Sequence, residues 1–177
     1  MTDEAGLIGR AQEGEERAFR EIYDRHVTPL YRFLRQYSDD TFLVEDWVQR
    51  AFIRAFQGIG SFRHSSKFST WLFTIGLNEM RADARRLSIV SFDSRELEGW
   101  DGREEDQDDF LWVEAMKASI GELDEMKRSV FLLYEVEGYS HAEISAMLGI
   151  GEGTSRALLS RAKQILRARH QTKENVP

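Results

Sequence analysis

Cysteine is absent from this chain and proline nearly so, with only Pro29 and Pro177 present. Without cysteine there is no disulfide, no thiolate metal site and no cysteine nucleophile. With so few ring-locked residues, helices can run uninterrupted over most of the length. Long apolar runs are missing too: none approaches the roughly 20 residues a membrane span requires. The start, "MTDEAGLIGRAQEGEER", is polar and acidic and has no signal-peptide core. A soluble, cytoplasmic protein is expected. The four histidines (26, 64, 141 and 170) are scattered and form no Glu-x-x-His pair of the kind a di-metal helical bundle uses. No glycine-rich phosphate loop and no nucleophile with a plausible base stands out. Catalysis is therefore not expected, nor is a metal or other cofactor.

What the chain does have is an uneven distribution of charge. Its 177 residues carry a net charge of −7, with 41% apolar and 11% aromatic side chains, enough for packed cores. Residues 1–92 hold 13 acids and 13 bases, and residues 110–177 hold nine of each. Residues 93–109, "DSRELEGWDGREEDQDD", hold nine acids against two bases, so the whole excess lies in one short segment. The segment 88–110 has little periodicity and reads as a linker, longer than a compact domain normally tolerates as structureless loop. The expected organisation is a first domain at 1–90, an acidic flexible linker at 91–111 and a second domain at 112–177.

Apolar spacing on both sides of that linker is helical. Phe19, Ile22, Tyr23, Val27, Leu30, Tyr31 and Leu34 recur at steps of three or four and form one stripe. Pro29 removes a backbone donor within it, so a bend or a division is expected there. "SDD" at 38–40 offers N-caps to a helix carrying Val44, Trp47, Val48, Ala51, Phe52, Ala55 and Phe56, which ends near Gly58 and Gly60. A loop, "SFRHSSK", leads to a third helix from about Ser69 to Arg86. Beyond the linker, Trp112, Met116 and Ile120 start a new stripe, and Val130, Phe131, Leu133 and Tyr134 mark another that stops at Gly138. No strand-like alternation of useful length and no internal repeat is found. The fold class is all-α, in two small helical domains.

The end of the chain carries a specific signal. "SHAE" at Ser140–Glu143 is a capping box, in which Ser140 and Glu143 satisfy each other's free amides at a helix start. Ile144 and Leu148 face inward, and Gly149 supplies the left-handed residue that ends the helix. Gly151 then caps a second helix with Ser155, Leu159, Ala162 and Leu166 on one side, and Gly153, Arg156, Ala157, Ser160, Gln164 and Arg167 on the other. Two short helices so joined form a helix-turn-helix, whose second helix enters the major groove of DNA. From Thr154 to Lys173 there are six bases and no acid. Part of that excess suits a helix C-terminus without any DNA. Phosphate contacts would supply affinity, with Arg156, Ala157, Ser160 and Gln164 placed to touch base edges. His141 reads as an early helix residue near phosphate rather than as a ligand.

Residues 45–86, "EDWVQRAFIRAFQGIGSFRHSSKFSTWLFTIGLNEMRADARR", carry Glu45-Asp46-x-x-Gln49-x-x-Phe52, Phe62-Arg63, Lys67-Phe68, Trp71-Leu72, Asn78 and Arg85-Arg86 in order. That series resembles the second conserved region of bacterial RNA polymerase sigma factors of the extracytoplasmic-function (ECF) group. "EGYSHAEISAMLGIGEGTSRALLSRAKQILR" resembles the fourth region of the same group. The two together cover most of residues 15–169. The resemblance implies docking on core RNA polymerase through Asp46, Gln49, Arg50 and Ile53, which share the face away from the core stripe. It implies capture of the opened non-template strand at the −10 element by Arg63, Lys67, Phe68, Trp71, Asn78, Arg81, Arg85 and Arg86. Aromatics interleaved with cations suit single-stranded DNA, because unstacked bases lie on rings while the cations hold phosphates. Trp71 stays open between core packing and framing a pocket for an extruded base, whereas Leu72 and Ile75 read as core. Duplex reading at the −35 element falls to Thr154, Arg156, Ala157, Ser160, Arg161, Lys163 and Gln164. The family threads the acidic linker through the polymerase's RNA path, and an anti-sigma partner is implied.

Two departures from the family pattern bear on these roles. An acid is usual four residues after the asparagine, where this chain has Ala82 followed by Asp83. Where many members read Thr-Val-Lys-Ser-Arg-Leu, this chain reads Thr154-Ser155-Arg156-Ala157-Leu158-Leu159. Ser155 is a weak core residue, and Leu158 brings no charge to a phosphate. The rival reading is a stand-alone helix-turn-helix regulator that binds duplex DNA without polymerase. It predicts tight DNA binding by the chain alone.

Overall fold

The computed structural model describes residues 4–90 and 118–174, and every regular element in them is helical. The chain divides into two compact units, to which those two stretches belong. The acidic linker expected at 91–111, with Trp112 and Met116 after it, lies outside the described residues.

The first unit has four helices: α1 (Glu4–Gln12), α2 (Glu16–Leu34), α3 (Thr41–Gly58) and α4 (Phe68–Val90), with a 3-10 turn at Ile59–Ser61 after α3. Helix α1 is not apparent in the apolar pattern, because it is short and Leu7 and Ile8 are its only large apolar residues. Leu7, Ile8 and Ala11 are nonetheless buried, and the Gln12 side-chain amide donates to the carbonyls of Ile59 (3.0 Å) and Phe62 (2.9 Å). In α2, Ala18, Ile22, Leu30, Phe33 and Leu34 are buried. Pro29 neither divides nor ends this helix. Pro29 and Arg25 are both exposed, so water can satisfy the Arg25 carbonyl that loses its partner.

Asp40 caps α3 by accepting from the Leu43 amide at 3.1 Å. The buried stripe of α3 is Val44, Trp47, Val48, Ala51, Phe52 and Ala55, as the spacing predicts, except that Phe56 at its end is only half-buried. Helix α4 packs on both α2 and α3, and its approach to α2 depends on Gly76. A Cβ there would lie 2.9 Å from Leu30 Cδ1, closer than a side chain tolerates without rearrangement.

In the second unit a helical turn at 118–121 precedes α5 (Glu125–Phe131), which Asp124 caps through the Lys127 amide. The helix continues as a wider turn over Leu132–Val136, with the Glu137 amide reaching back to the Leu132 carbonyl at 3.0 Å. Then come α6 (His141–Leu148) and α7 (Glu152–Glu174). Both bonds of the capping box form: the Ser140 amide donates to Glu143 at 2.9 Å, and the Glu143 amide to Ser140 Oγ at 3.3 Å. Gly149 ends α6 with φ of 66°, a left-handed conformation that a side chain would strain. Among the described side chains of α7, Ser155, Leu159, Ala162 and Leu166 are buried, the inward side read from the sequence.

Candidate nucleic-acid and partner interfaces

Helices α6 and α7 form the expected helix-turn-helix. Burial of one side of α7 leaves Thr154, Arg156, Ala157, Ser160, Arg161, Gln164 and Arg167 exposed. They form a face free to enter a groove, carrying cations for phosphate and small or amide side chains for base edges. Two cations of this helix already have partners. Arg156 pairs with Glu152 one turn earlier at 2.8 Å. Lys163 lies at the flank of the face and reaches Glu135 of the wide turn at 2.7 Å. Lys163 therefore braces α7 against that turn, and a phosphate would have to compete with the Glu135 carboxylate. Leu158 is half-buried at the edge of the stripe.

In the first unit the aromatics and cations of the loop and α4 separate. Phe62, Phe68 and Phe73 are buried, Phe68 to 1% exposure. Phe68 belongs to the core: its ring lies 5.7 Å from Phe62, 5.7 Å from Trp71 and 5.2 Å from His26. It shapes the surface from below and offers no face to a base. Trp71 is half-buried, with its ring centroid 5.2 Å from that of Phe62. Gly58, which has no side chain, lies over the Trp71 indole, and a Cβ at Gly58 would be 3.6 Å from it. Trp71 thus packs on one side and meets solvent on the other. Arg63, Lys67, Asn78, Arg85 and Arg86 are exposed and Arg81 is half-buried. Asn78, Arg81 and Arg85 share one face of α4 at helical spacing.

Asp46, Gln49 and Ile53 line up on the outer face of α3, all exposed, with Ile53 at 49%. They border a groove of about 790 Å³ between α2 and α3. Its apolar lining includes Tyr23, Val27, Tyr31, Phe42 and Phe52. Tyr23 and Phe42 are among the large apolar side chains left exposed, at 41% and 83%. The α2 half of this groove escapes sequence reasoning, because Tyr23 and Tyr31 fall within a stripe that reads as core.

Arg50 is oriented differently from its neighbours on that face. Its guanidinium turns toward α4 and pairs with Asp83, with Asp46 at 2.7 Å and with Glu79 at 3.7 Å. Glu79, 3% exposed, is also held by Arg54 at 2.6 Å. Asp83 accepts in addition from the Trp47 indole nitrogen at 2.8 Å. Hydrogen bonds from Arg50 and then Trp47 hold the Asp83 carboxyl below the usual carboxylate range, against the opposing effect of burial. The same Asp83 hydrogen bond raises the pKa of Arg50. Asp83, the acid displaced by one position from the family pattern, thus ties α4 to α3. Among the described residues, no group of three or more His, Asp or Glu gathers as a metal site. No described helix is long and apolar enough to cross a membrane.

Comparison with known proteins agrees with this architecture. Residues 22–88 match the family model of sigma-70 region 2, and residues 114–166 that of sigma-70 region 4. The RNA polymerase sigma factor NccH of Alcaligenes xylosoxydans xylosoxydans is 30% identical over 95% of this chain and 96% of its own. The ECF RNA polymerase sigma-E factor of Escherichia coli (strain K12) is 29% identical over 94% of this chain and 93% of its own. Among solved structures, CnrH in complex with the cytosolic domain of CnrY superposes with a TM-score of 0.72 at 28% identity, covering 94% of this chain and 96% of CnrH. The sigma factor RpoE of Bartonella quintana, solved with the anti-sigma factor NepR, shares the fold at a TM-score of 0.67 and 24% identity, over 85% of this chain and 94% of its own. With both family regions in order and relatives matched nearly end to end, the chain belongs to the ECF group of sigma-70 RNA polymerase sigma factors, which are non-enzymatic transcription initiation factors.

Proposed function

We propose the following division of labour for this sigma factor in the cytoplasm. Residues 1–90 dock on core polymerase and open the −10 element, residues 91–111 connect, and residues 112–177 read the −35 element. Docking falls to Asp46, Gln49 and Ile53 together with the apolar groove beside them. The observation that carries this is the groove itself: Tyr23, Phe42 and Ile53 stay exposed in one place on an otherwise packed unit, the usual mark of a partner surface. Arg50 acts behind that face and fixes α3 on α4 through Asp83.

The melted strand runs along Arg63, Lys67, Asn78, Arg81, Arg85 and Arg86, with the outer side of Trp71 available to a base. Phe68 supports Trp71 from the core. Arg156, Ala157, Ser160, Arg161 and Gln164 meet duplex DNA at the −35 element, with Thr154 at the helix start and Lys163 bracing the helix. An anti-sigma protein that covers the α3 face fits the same surface, and two of the similar sigma factors were solved with partner proteins.

A gel shift on one promoter, with and without core polymerase, tests this. The promoter is taken from the upstream sequence shared by transcripts that rise on overexpression. A net charge of −7 opposes DNA binding by the free chain, and two weak contacts reinforce each other only when held at a fixed separation. The expected result is a weak shift alone and a strong one with core polymerase. Tight binding without polymerase would return the chain to the stand-alone regulator.

A further inference from the structure

Among the described side chains of α7, Ser155 is the one hydroxyl in the buried face, beside Leu159, Ala162 and Leu166, and its relative exposure is 0%. A buried hydroxyl without a partner destabilises a fold, and this one has a partner outside its own helix. Its Oγ lies 2.9 Å from Nδ1 of His141, the first residue of α6. The His141 ring in turn stacks on Tyr134, with ring centroids 4.5 Å apart and planes 23° apart. Tyr134 sits in the wide turn Leu132–Val136, so three successive elements join through one line of side chains. The start of α6 is itself fixed by the Ser140–Glu143 box, which leaves His141 little freedom.

We infer that the Tyr134–His141–Ser155 line is a positioning device that sets the rotation and depth of α7 for −35 reading. The inference rests on the proposed role of α7. An apolar side chain at 155 would tolerate sliding, because dispersion contacts have no direction. A hydrogen bond weakens steeply as its angle and length depart from the optimum, so it fixes one rotation of the helix. Ser155 lies between Thr154 and Arg156, both on the outward face. Any turn or lift of α7 at Ser155 therefore moves the first residues of the reading face by a similar amount. Ser155 and His141 touch no DNA in this scheme and act through Arg156, Ala157 and Ser160.

The test uses the full chain in reconstituted holoenzyme. The readout is the ratio of transcription from a promoter with its −35 element to transcription from the same promoter with that element scrambled. His141→Phe keeps a ring on Tyr134 and deletes Nδ1, while Ser155→Ala deletes the hydroxyl. Each lowers the ratio about tenfold, in line with losing one buried hydrogen bond. Transcription from the scrambled promoter stays unchanged. The double variant falls no further than either single one, since both remove the same bond. Ser155→Thr, which retains a hydroxyl, restores the ratio. A merely structural role would lower both promoters together and leave the ratio intact, and that result overturns the inference. A wild-type ratio near one would sink the −35 role of α7, and the inference with it.

Discussion

At the scale of single residues, Asp83 has more consequences than its place in the sequence suggests. It takes hydrogen bonds from Arg50 and Trp47 across the α3–α4 contact; without the carboxylate Trp47 loses its acceptor and Arg50 keeps only Asp46 and Glu79. Asp83→Ala is expected to cost about 2 kcal/mol, typical of hydrogen bonds to a charged group, measured by urea unfolding of the full chain. Because the folded-state pKa of Asp83 is depressed, its contribution is present above the unfolded carboxyl value of about 3.9 and is lost as pH falls through the lower folded value. His26 responds in a higher pH window. Burial lowers its pKa, although Glu4, 3.1 Å away, pulls it up and Arg25 adds a smaller lowering. Neutral His26 therefore stabilises the fold above the unfolded value of about 6.5, and that stability is lost as pH falls through the lower folded value. Thermal unfolding between pH 7 and pH 5 should show a smaller decline in His26→Phe, which keeps the ring contact with Phe68. An equal decline in both proteins would remove His26 as the cause.

At the scale of elements, the pairing of α2 with α3 both closes a core and leaves a groove. The inward faces give Ile22, Leu30, Val44 and Ala51 to the interior, while Tyr23, Phe42 and Ile53 remain on the rim. Ile53→Asp separates these two functions. The site is half exposed, so stability should change by no more than about 0.5 kcal/mol. Binding to core polymerase should fall at least about tenfold, because a charge would be buried unpaired in the interface. Circular dichroism melts and fluorescence-anisotropy titration of labelled chain with core polymerase read the two effects. Unaltered affinity would move the docking site elsewhere. The helix-turn-helix shows the complementary economy: its turn is set locally by Ser140, Glu143 and Gly149, and its recognition helix is anchored from outside by His141 and Glu135.

At the scale of the whole molecule, charge placement matters more than the total. The excess of acids lies in residues 93–109, outside the described residues, and the flanking parts are balanced. A chain of this kind has little long-range attraction for DNA, although α7 has cations for phosphate. In the gel shift described above, residual binding by the free chain should fade steeply between about 50 and about 200 mM salt, while the polymerase-bound form persists. Persistence of tight binding by the free chain at the higher salt would contradict promoter reading that depends on core polymerase.

The sequence by itself determined what depends on neighbours three or four residues apart. The caps at Asp40 and Ser140, the left-handed stop at Gly149 and the buried side of α7 are all local, and helical spacing displays them directly. Family membership was legible for the same reason, since its motifs are short series in order. Tertiary structure alone decided which aromatics face outward: Phe68 and Trp71 stand three residues apart, yet one is core and the other half open. It also decided the bonds of Arg50 to Asp83, Asp83 to Trp47, Lys163 to Glu135 and His141 to Ser155, which span 14 to 36 residues. Such partners meet only after helices pack, and the energy of a hydrogen bond depends on geometry that no spacing rule encodes. Helix α1 belongs with these, because so short a helix with only Leu7 and Ile8 as large apolar residues needs α2 and the turn after α3 to receive it.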